Sequence, residues 1–474
     1  MYFECSYRVP YADTDQMGVV YYANYLEYFE RGRTEMFRAA GMPYSALEKE
    51  GIFLPVVEAY CNYLGSARYD DLLTIRSWVE SRQRVKLKIC SEVRRGDEVL
   101  VKGFVVLGCI NGQHRPVRMP EHMAACCDSL LWDGRERVQQ FVEVENIYPL
   151  KFTPVYQERI WGGSQLTEVL KRELPPHKAP IGEAWELCDR GEIQTRVANG
   201  PLAGVTLSEL VRRYGRDLLG TKAARLDRFP LLIKIIDAGE KLSLQVHPDD
   251  AACQALGNGA ESKTEMWYIL AARPGACILA GLDSQFSRNH MIDMLRSGAA
   301  DGLLQKHVSQ TGDAYFIPAG TLHAIGAGNL LLEVQQNSDT TYRISDWGRV
   351  GSDGKPRELH LEQGLRSINF VNRTSPRIAA AVDQAAWNRK ISVVGNCPYF
   401  NFSELRLVET WNDDTKKESF HYITSVSSPV RVGRDDRRVE LAVGESVLLP
   451  ASFGAYTIES LTADSRCTVV RTTL

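Results

Sequence analysis

The chain has 474 residues, with 56 basic and 59 acidic side chains and a formal net charge of −3. Residues 1–123 carry 16 of each sign, so neither part has the basic excess that nucleic acid or an anionic membrane surface requires. The length exceeds what one hydrophobic core serves and suggests about three domains. Hydrophobic and charged contents of 44% and 24% are those of a globular protein. Apolar runs such as Phe104–Ile110 are too short to span a bilayer.

The first elements follow from periodicity. Leu26, Phe29, Met36, Phe37 and Ala40 recur at three to four residues, with a gap at Arg33. This predicts a helix over Leu26–Gly41, with Gly41 as its stop. Strand-like runs follow at Phe53–Tyr63, Leu72–Ser81, Val85–Arg94 and Val99–Cys109, with a hairpin turn at Arg95-Gly96-Asp97. Before the helix lies Tyr11-Ala-Asp-Thr-Asp-Gln-Met-Gly-Val-Val-Tyr-Tyr-Ala-Asn-Tyr25.

These 123 residues, and the pattern Asp15-x-x-Gly18-x-Val20 in particular, resemble hotdog-fold acyl-CoA thioesterases of the 4-hydroxybenzoyl-CoA and Tol-Pal-associated type. The resemblance implies an α+β domain, a sheet wrapped on one helix, with an active site between two subunits. It implies that Asp15 acts on the thioester as base or nucleophile and that Gly18 lets the backbone approach the acyl group. It also implies a homo-oligomer formed through residues 1–123. A carboxylate near a helix N-terminus stays ionised, and the same dipole polarises a carbonyl. Tyr22 stands where related sequences often carry His. Asp13 reads as a turn residue, and Glu27 and Glu30 as solvated or interface charges.

Residues 124–147 read as a linker, with a helical stretch over Leu130–Val142. Further helices are expected at Leu202–Tyr214 and Arg288–Leu304. Two metal-ligand signatures lie in the middle of the chain. Gln245 and His247 are two residues apart, so in a strand they share a face. Glu265 opens the run Glu265-Met-Trp-Tyr-Ile-Leu270, and His323 follows a strand that ends at Gly320. Two imidazoles, a carboxylate and an amide oxygen suit Zn²⁺ with one position left for substrate. The remaining histidines, His114, His122, His177, His290, His307, His360 and His421, lack such spacing and read as surface or packing residues.

Six ordered blocks carry a second resemblance: Tyr156-Gln-Glu-Arg-Ile-Trp-Gly-Gly163, Gly182-Glu-Ala-Trp-Glu186, Lys241-Leu-Ser-Leu-Gln-Val-His-Pro-Asp-Asp250, Lys263-Thr-Glu-Met-Trp-Tyr-Ile-Leu270, Ile317-Pro-Ala-Gly-Thr-Leu-His-Ala-Ile325 and Leu332-Glu-Val-Gln-Gln-Asn-Ser-Asp-Thr-Thr-Tyr-Arg343. From about Tyr148 to the C-terminus the chain resembles type I mannose-6-phosphate isomerases, zinc enzymes on a cupin barrel that interconvert mannose 6-phosphate and fructose 6-phosphate. The resemblance implies one zinc ion held by Gln245, His247, Glu265 and His323, with Arg343 in the active site. Aldose–ketose isomerisation moves a proton between two carbons, and needs a Lewis acid and a base. Glu333 is a candidate base, or else a salt-bridge partner of Arg343; even spacing places the two on one strand-like run. Lys263 and Arg343 are candidates for substrate or phosphate contact.

Leu441-Ala-Val-Gly-Glu-Ser-Val-Leu-Leu-Pro-Ala451 repeats the pattern of Gly312-Asp-Ala-Tyr-Phe-Ile-Pro-Ala319 without the following His, which suggests a second, metal-free barrel. The expected organisation is multidomain: a hotdog domain over 1–123, a linker over 124–147, and mainly-β cupin barrels with helical insertions over 148–376 and 377–474. The 11 cysteines are scattered and no secretory pattern opens the chain, so free thiols in the cytoplasm are expected, with no membrane span. The expected function is bifunctional: hydrolysis of acyl-CoA and isomerisation of the sugar phosphate. Two alternatives are an inactive hotdog that only dimerises and a cupin half that only senses sugar.

Overall fold

The computed structural model describes all residues except 1, 132–137, 141–146, 224–225, 227, 258, 301, 351–353, 379–386, 396 and 463–465. The chain divides into two compact units: Met1–Glu143 with Gly200–Leu202, and Val144–Asn199 with Ala203–Leu474. No helix among the described residues is long and apolar enough to cross a membrane.

In the first unit the helix Asn24–Ala39 buries Tyr25, Tyr28, Phe29, Met36 and Phe37 against a six-stranded sheet. Leu26 is exposed, whereas Arg33 lies on the buried face. Gly32 is required there, because a Cβ would stand 2.5 Å from Ser77 Oγ. The strand order is Val56–Tyr63, Glu98–Gly108, Lys86–Arg95, Leu72–Arg82, Tyr2–Arg8 and Val138–Gln140. This is the expected hotdog arrangement. The expected Phe53–Tyr63 strand is broken at Leu54-Pro55, since proline gives no N–H to a ladder.

Within the expected helix Leu130–Val142, Val138–Gln140 forms a strand, and 132–137 and 141–142 lie outside the described residues. A helix runs over Glu121–Ser129, with Met123 and Cys127 in the first unit's core. Val138–Gln140 pairs in parallel with the first strand.

The second unit begins with two facing sheets. A seven-stranded sheet has the order Val155–Glu158, Ile181–Leu187, Leu231–Ala238, Asn329–Gln336, Glu265–Ala272, Ala314–Ile317 and Arg377–Ile378. A five-stranded sheet has the order Leu304–Val308, Cys277–Leu282, His323–Ile325, Leu244–Val246 and Tyr342–Ser345. One core joins them: Trp267, Ile269, Tyr315 and Leu331 from the first, Ile278, Ala280 and Ile325 from the second.

Arg377–Ile378 pairs with Ala314 and Tyr315, so this sheet extends past residue 376. A five- and a four-stranded sheet follow from Arg389, sharing the core of Leu405, Ile423, Val432, Ile458 and Val469. The expected barrels thus take the form of paired sheets.

Two helix ranges shift. The Leu202–Tyr214 helix spans Leu207–Leu219, because Thr206 caps it and accepts from the Glu209 N–H at 3.2 Å. The Arg288–Leu304 helix ends at Arg296. Gly298, at φ +77°, turns the chain, and Leu304 opens a strand.

Candidate active sites

In the first unit the segment before the long helix forms a closed loop. Thr14 bridges to Val20, and the Asp15 N–H donates to Val19 O at 2.9 Å. Asp15 is half-buried, and its Oδ1 accepts from the Met17 N–H at 2.8 Å. The Gly18 N–H donates to Asp15 O, and its φ of +71° suits glycine.

Asp13 is more than the expected turn residue. Its Oδ2 accepts from Tyr28 Oη at 2.7 Å and from Tyr7 Oη at 2.9 Å. Burial and the Asp13 carboxylate push the Tyr7 phenol up to about 12. The loop that carries Asp15 is therefore tied to both the first strand and the helix. Tyr22 is exposed and lies edge-on to Tyr63, whose hydroxyl donates to Tyr22 O at 3.1 Å. Glu27 and Glu30 are exposed on the helix, as expected.

In the second unit the metal-ligand candidates converge between the two facing sheets. Gln245 pairs with His323 on one side and with Arg343 on the other. Glu265 reaches in from the opposite sheet. His247, Glu265 and His323 are all buried, with one donor atom of each within 4.8 Å of the others. His247 Nε2 lies 3.2 Å from Glu265 Oε1, His323 Nε2 lies 3.7 Å from Oε2, and Gln245 Nε2 lies 3.2 Å from His323 Nε2.

Each imidazole is oriented by a carbonyl. His247 Nδ1 lies 2.8 Å from Thr340 O, and His323 Nδ1 lies 2.9 Å from Thr321 O. A carbonyl accepts only from N–H, so both rings keep the Nδ1 proton and turn the Nε2 lone pair inward. Burial keeps them neutral, pushing His323 down to about 3 and lowering His247 as well. Burial, the largest single influence, works to raise the Glu265 carboxyl, but Lys263, 2.7 Å away, together with His247 and His323 outweighs it and holds the group well below its usual range.

Among the described residues no well-aligned hydrogen bond reaches His247 Nε2 or either Glu265 oxygen, although Lys263 Nζ is ion-paired with Oε1 at 2.7 Å. Buried polar atoms are rarely left so. Neutral inward nitrogens beside an ionised carboxylate fit a divalent cation with borderline ligand preference.

Glu333 and Arg343 do not share one strand. The turn at Asn337-Ser338 sends Glu333 to the seven-stranded sheet and Arg343 to the five-stranded one. Glu333 is not paired with Arg343. Its Oε1 lies 3.5 Å from Lys234 Nζ, and its Oε2 accepts from Trp267 Nε1 at 3.2 Å. Burial, then the Glu265 charge, raise its carboxyl.

Arg343 donates through Nη1 to Glu358 O at 2.9 Å, while its Nε is buried without a partner among the described residues. Sequence reasoning missed Lys234, Glu183 and Arg159, which continue the charge row from Glu333: Arg159 Nη2 bonds Glu183 at 3.0 Å. A lone lysine inside the run Leu231–Ala238 was the available signal.

Together, fold and site define a two-unit chain: a hotdog unit with a loop-borne carboxylate, and a paired-sheet unit with a buried His/Glu/His donor group. Residues 9–126 match the thioesterase-like superfamily, and residues 149–268 match the catalytic domain of type I phosphomannose isomerases. A putative mannose-6-phosphate isomerase, YvyI, from Bacillus subtilis is 34% identical over 66% of this chain and 96% of its own length. An acyl-CoA thioesterase, YbgC, from Haemophilus influenzae is 34% identical over 26% of this chain and 92% of its own length. The crystal structure of the mannose 6-phosphate isomerase from Bacillus subtilis superposes with a TM-score of 0.60 at 32% identity, covering 69% of this chain and 99% of that one. The chain thus belongs to the type I mannose-6-phosphate isomerase family in its larger part and to the thioesterase-like superfamily in its N-terminal part, two enzyme families on one polypeptide.

Proposed function

We propose that the larger unit interconverts mannose 6-phosphate and fructose 6-phosphate with one Zn²⁺ held by His247, Glu265, His323 and Gln245. The observation that carries this is the buried donor group, whose His247 Nε2 and Glu265 Oε2 have no hydrogen-bond partner among the described residues. Zinc, when bound, supplies a Lewis acid for oxygen charge that develops on the substrate.

The protein's own groups do the rest. Glu333 takes the proton from C2 and returns it to C1, while the O2 hydroxyl proton passes to O1, so that C1 becomes a hydroxymethyl group and C2 a ketone; burial raises the Glu333 carboxyl, which makes it a stronger base once ionised. Arg343 offers a free guanidinium edge, suited to the phosphate or the oxyanion. Lys263 keeps Glu265 ionised and stands ready to contact substrate oxygen.

Metal removal tests the reading. After chelation, with loss of zinc checked by elemental analysis, isomerase turnover falls to background and returns with added Zn²⁺. Turnover that survives in metal-free protein overturns it.

In the smaller unit, Asp15 hydrolyses acyl-CoA thioesters. As base it takes a proton from water, the hydroxyl oxygen bonds to the acyl carbon, and the C–S bond breaks to release acid and thiol. The alternative, a unit that only assembles, draws on the exposed apolar strand Val56–Tyr63. The assembly and the hydrolysis are compatible if a second copy completes the site. Chelation leaves the hydrolysis untouched, since no donor group is found among that unit's described residues.

A further inference from the structure

The C-terminal pair of sheets is packed with aliphatic side chains at one end only. At the other end the space between the sheets holds charge. Arg471 is 8% exposed and ion-paired with Asp413. Asp413 also accepts from Trp411 Nε1 at 3.3 Å and from the Asp414 N–H at 2.8 Å. His421 is 7% exposed and bonded through Nδ1 to Tyr456 Oη at 2.7 Å. Register places Ser392, Ser403 and Arg471 in one row across three strands, and Asn401 beside Thr473 in the next. These side chains line a cavity of about 450 Å³.

Two features separate this cluster from an ordinary structural ion pair. Arg471 Nε is buried without a hydrogen-bond partner among the described residues. Lys390, on the cavity wall, has no carboxylate within ion-pairing distance among them. Across the whole lining, the four cations Lys222, Lys390, Lys416 and Arg471 stand against the three carboxylates Asp413, Asp414 and Glu418, so the balance stays positive. A sheet pair with only a packing role gains more from the aliphatic filling seen at its other end, since buried polar groups must be compensated.

The donor set has a recognisable chemistry. Arg471 and Lys390 offer a fork and a point charge to an anion. Asp413, Asn401, Ser403 and Ser392 offer acceptors and donors to hydroxyl groups, and Trp411 offers an apolar face. The volume lies in the range of small-molecule sites. We propose that this cavity is a second ligand site, separate from the metal centre, for a hydroxylated anion of monosaccharide-phosphate size.

Hydrogen–deuterium exchange on the full chain tests this, with mannose 6-phosphate, mannose and inorganic phosphate as separate probes. The sugar phosphate is expected to protect the strands Asn401–Leu407 and Cys467–Thr473. Lys390→Ala is expected to weaken this protection at least about tenfold in probe concentration, and Ser392→Trp to abolish it by filling the entrance. Both variants keep wild-type isomerase turnover and wild-type protection around Gln245–Glu265. Protection confined to the metal centre, or unchanged in both variants, overturns the site. Equal protection by inorganic phosphate or by mannose overturns the ligand class. The two strands report independently of turnover, so failure of the isomerase assignment leaves this test standing.

Discussion

Lys234 shows how one side chain governs others. It is buried in an apolar strand, 3.5 Å from Glu333, and its ammonium is kept charged against burial by Glu333 and Glu183. Lys234→Met leaves two buried carboxylates with less compensation, and a loss of ~3–5 kcal/mol in urea unfolding is expected. Loss of the cation also favours the neutral form of Glu333, so its pKa rises further. A base works when deprotonated. The acid limb of the isomerase pH profile should therefore move to higher pH, and an unmoved limb argues against Glu333 as the base.

Asp15→Asn keeps shape and the turn to Met17, yet removes the proton acceptor. Thioester hydrolysis should fall by about 100-fold or more with isomerase turnover intact; unchanged hydrolysis across a panel of acyl-CoAs counts against the role. The grouping of His247, Glu265 and His323 was legible from the ordered blocks, with strand alternation adding only the shared face of Gln245 and His247. The environment of Glu333 was not legible. The turn at Asn337-Ser338 moves Arg343 to another sheet, and Lys234 comes from a strand a hundred residues earlier in the chain.

At the scale of elements, strands were easier to read than helix ends. The ladder Leu72–Arg82, Lys86–Arg95 and Glu98–Gly108 follows the alternation of its apolar residues, and Gly96 marks its hairpin. The helix at Leu207 was displaced because its start is set by the Thr206 cap rather than by its first apolar residue. Thr206→Ala should cost ~1 kcal/mol of stability, measured by thermal unfolding.

His421 illustrates the limit of spacing arguments. It reads as a packing residue, but the facing sheets bury it in a charged cluster. Burial pushes its imidazole down to about 4, against an ordinary value of 6.5. The unfolded chain therefore binds a proton that the folded sheets refuse between those two values. Stability is full above pH 6.5 and is lost as pH falls toward 4, by on the order of 3 kcal/mol. His421→Asn should flatten that part of the unfolding-versus-pH curve; an unchanged curve shows that other groups carry it.

At the scale of the molecule, the surface is uneven. Of twenty-three exposed large apolar side chains among the described residues, thirteen lie between Tyr11 and Leu72. Several sit on the edge strand Val56–Tyr63, where Val56, Val57, Tyr60 and Tyr63 are each more than two-fifths exposed. That strand has neither lysine nor proline to discourage pairing. An apolar edge of this kind is a template for another strand, and two-fold pairing is the commonest closed solution. Tyr63 of this strand donates to Tyr22 O in the segment that follows Asp15, so a pairing that covers the edge would also bear on the proposed hydrolytic site. The intact chain is therefore expected to be a homodimer or larger, held through the first unit. Val57→Lys with Tyr60→Lys should convert it to a monomer in light scattering, lower thioester hydrolysis, and leave isomerase turnover unchanged, because each unit has its own core. Proteolysis between the units should release an oligomeric fragment and a fragment that retains isomerase activity. An intact chain that is monomeric and still hydrolyses thioesters at the full rate would refute the shared site.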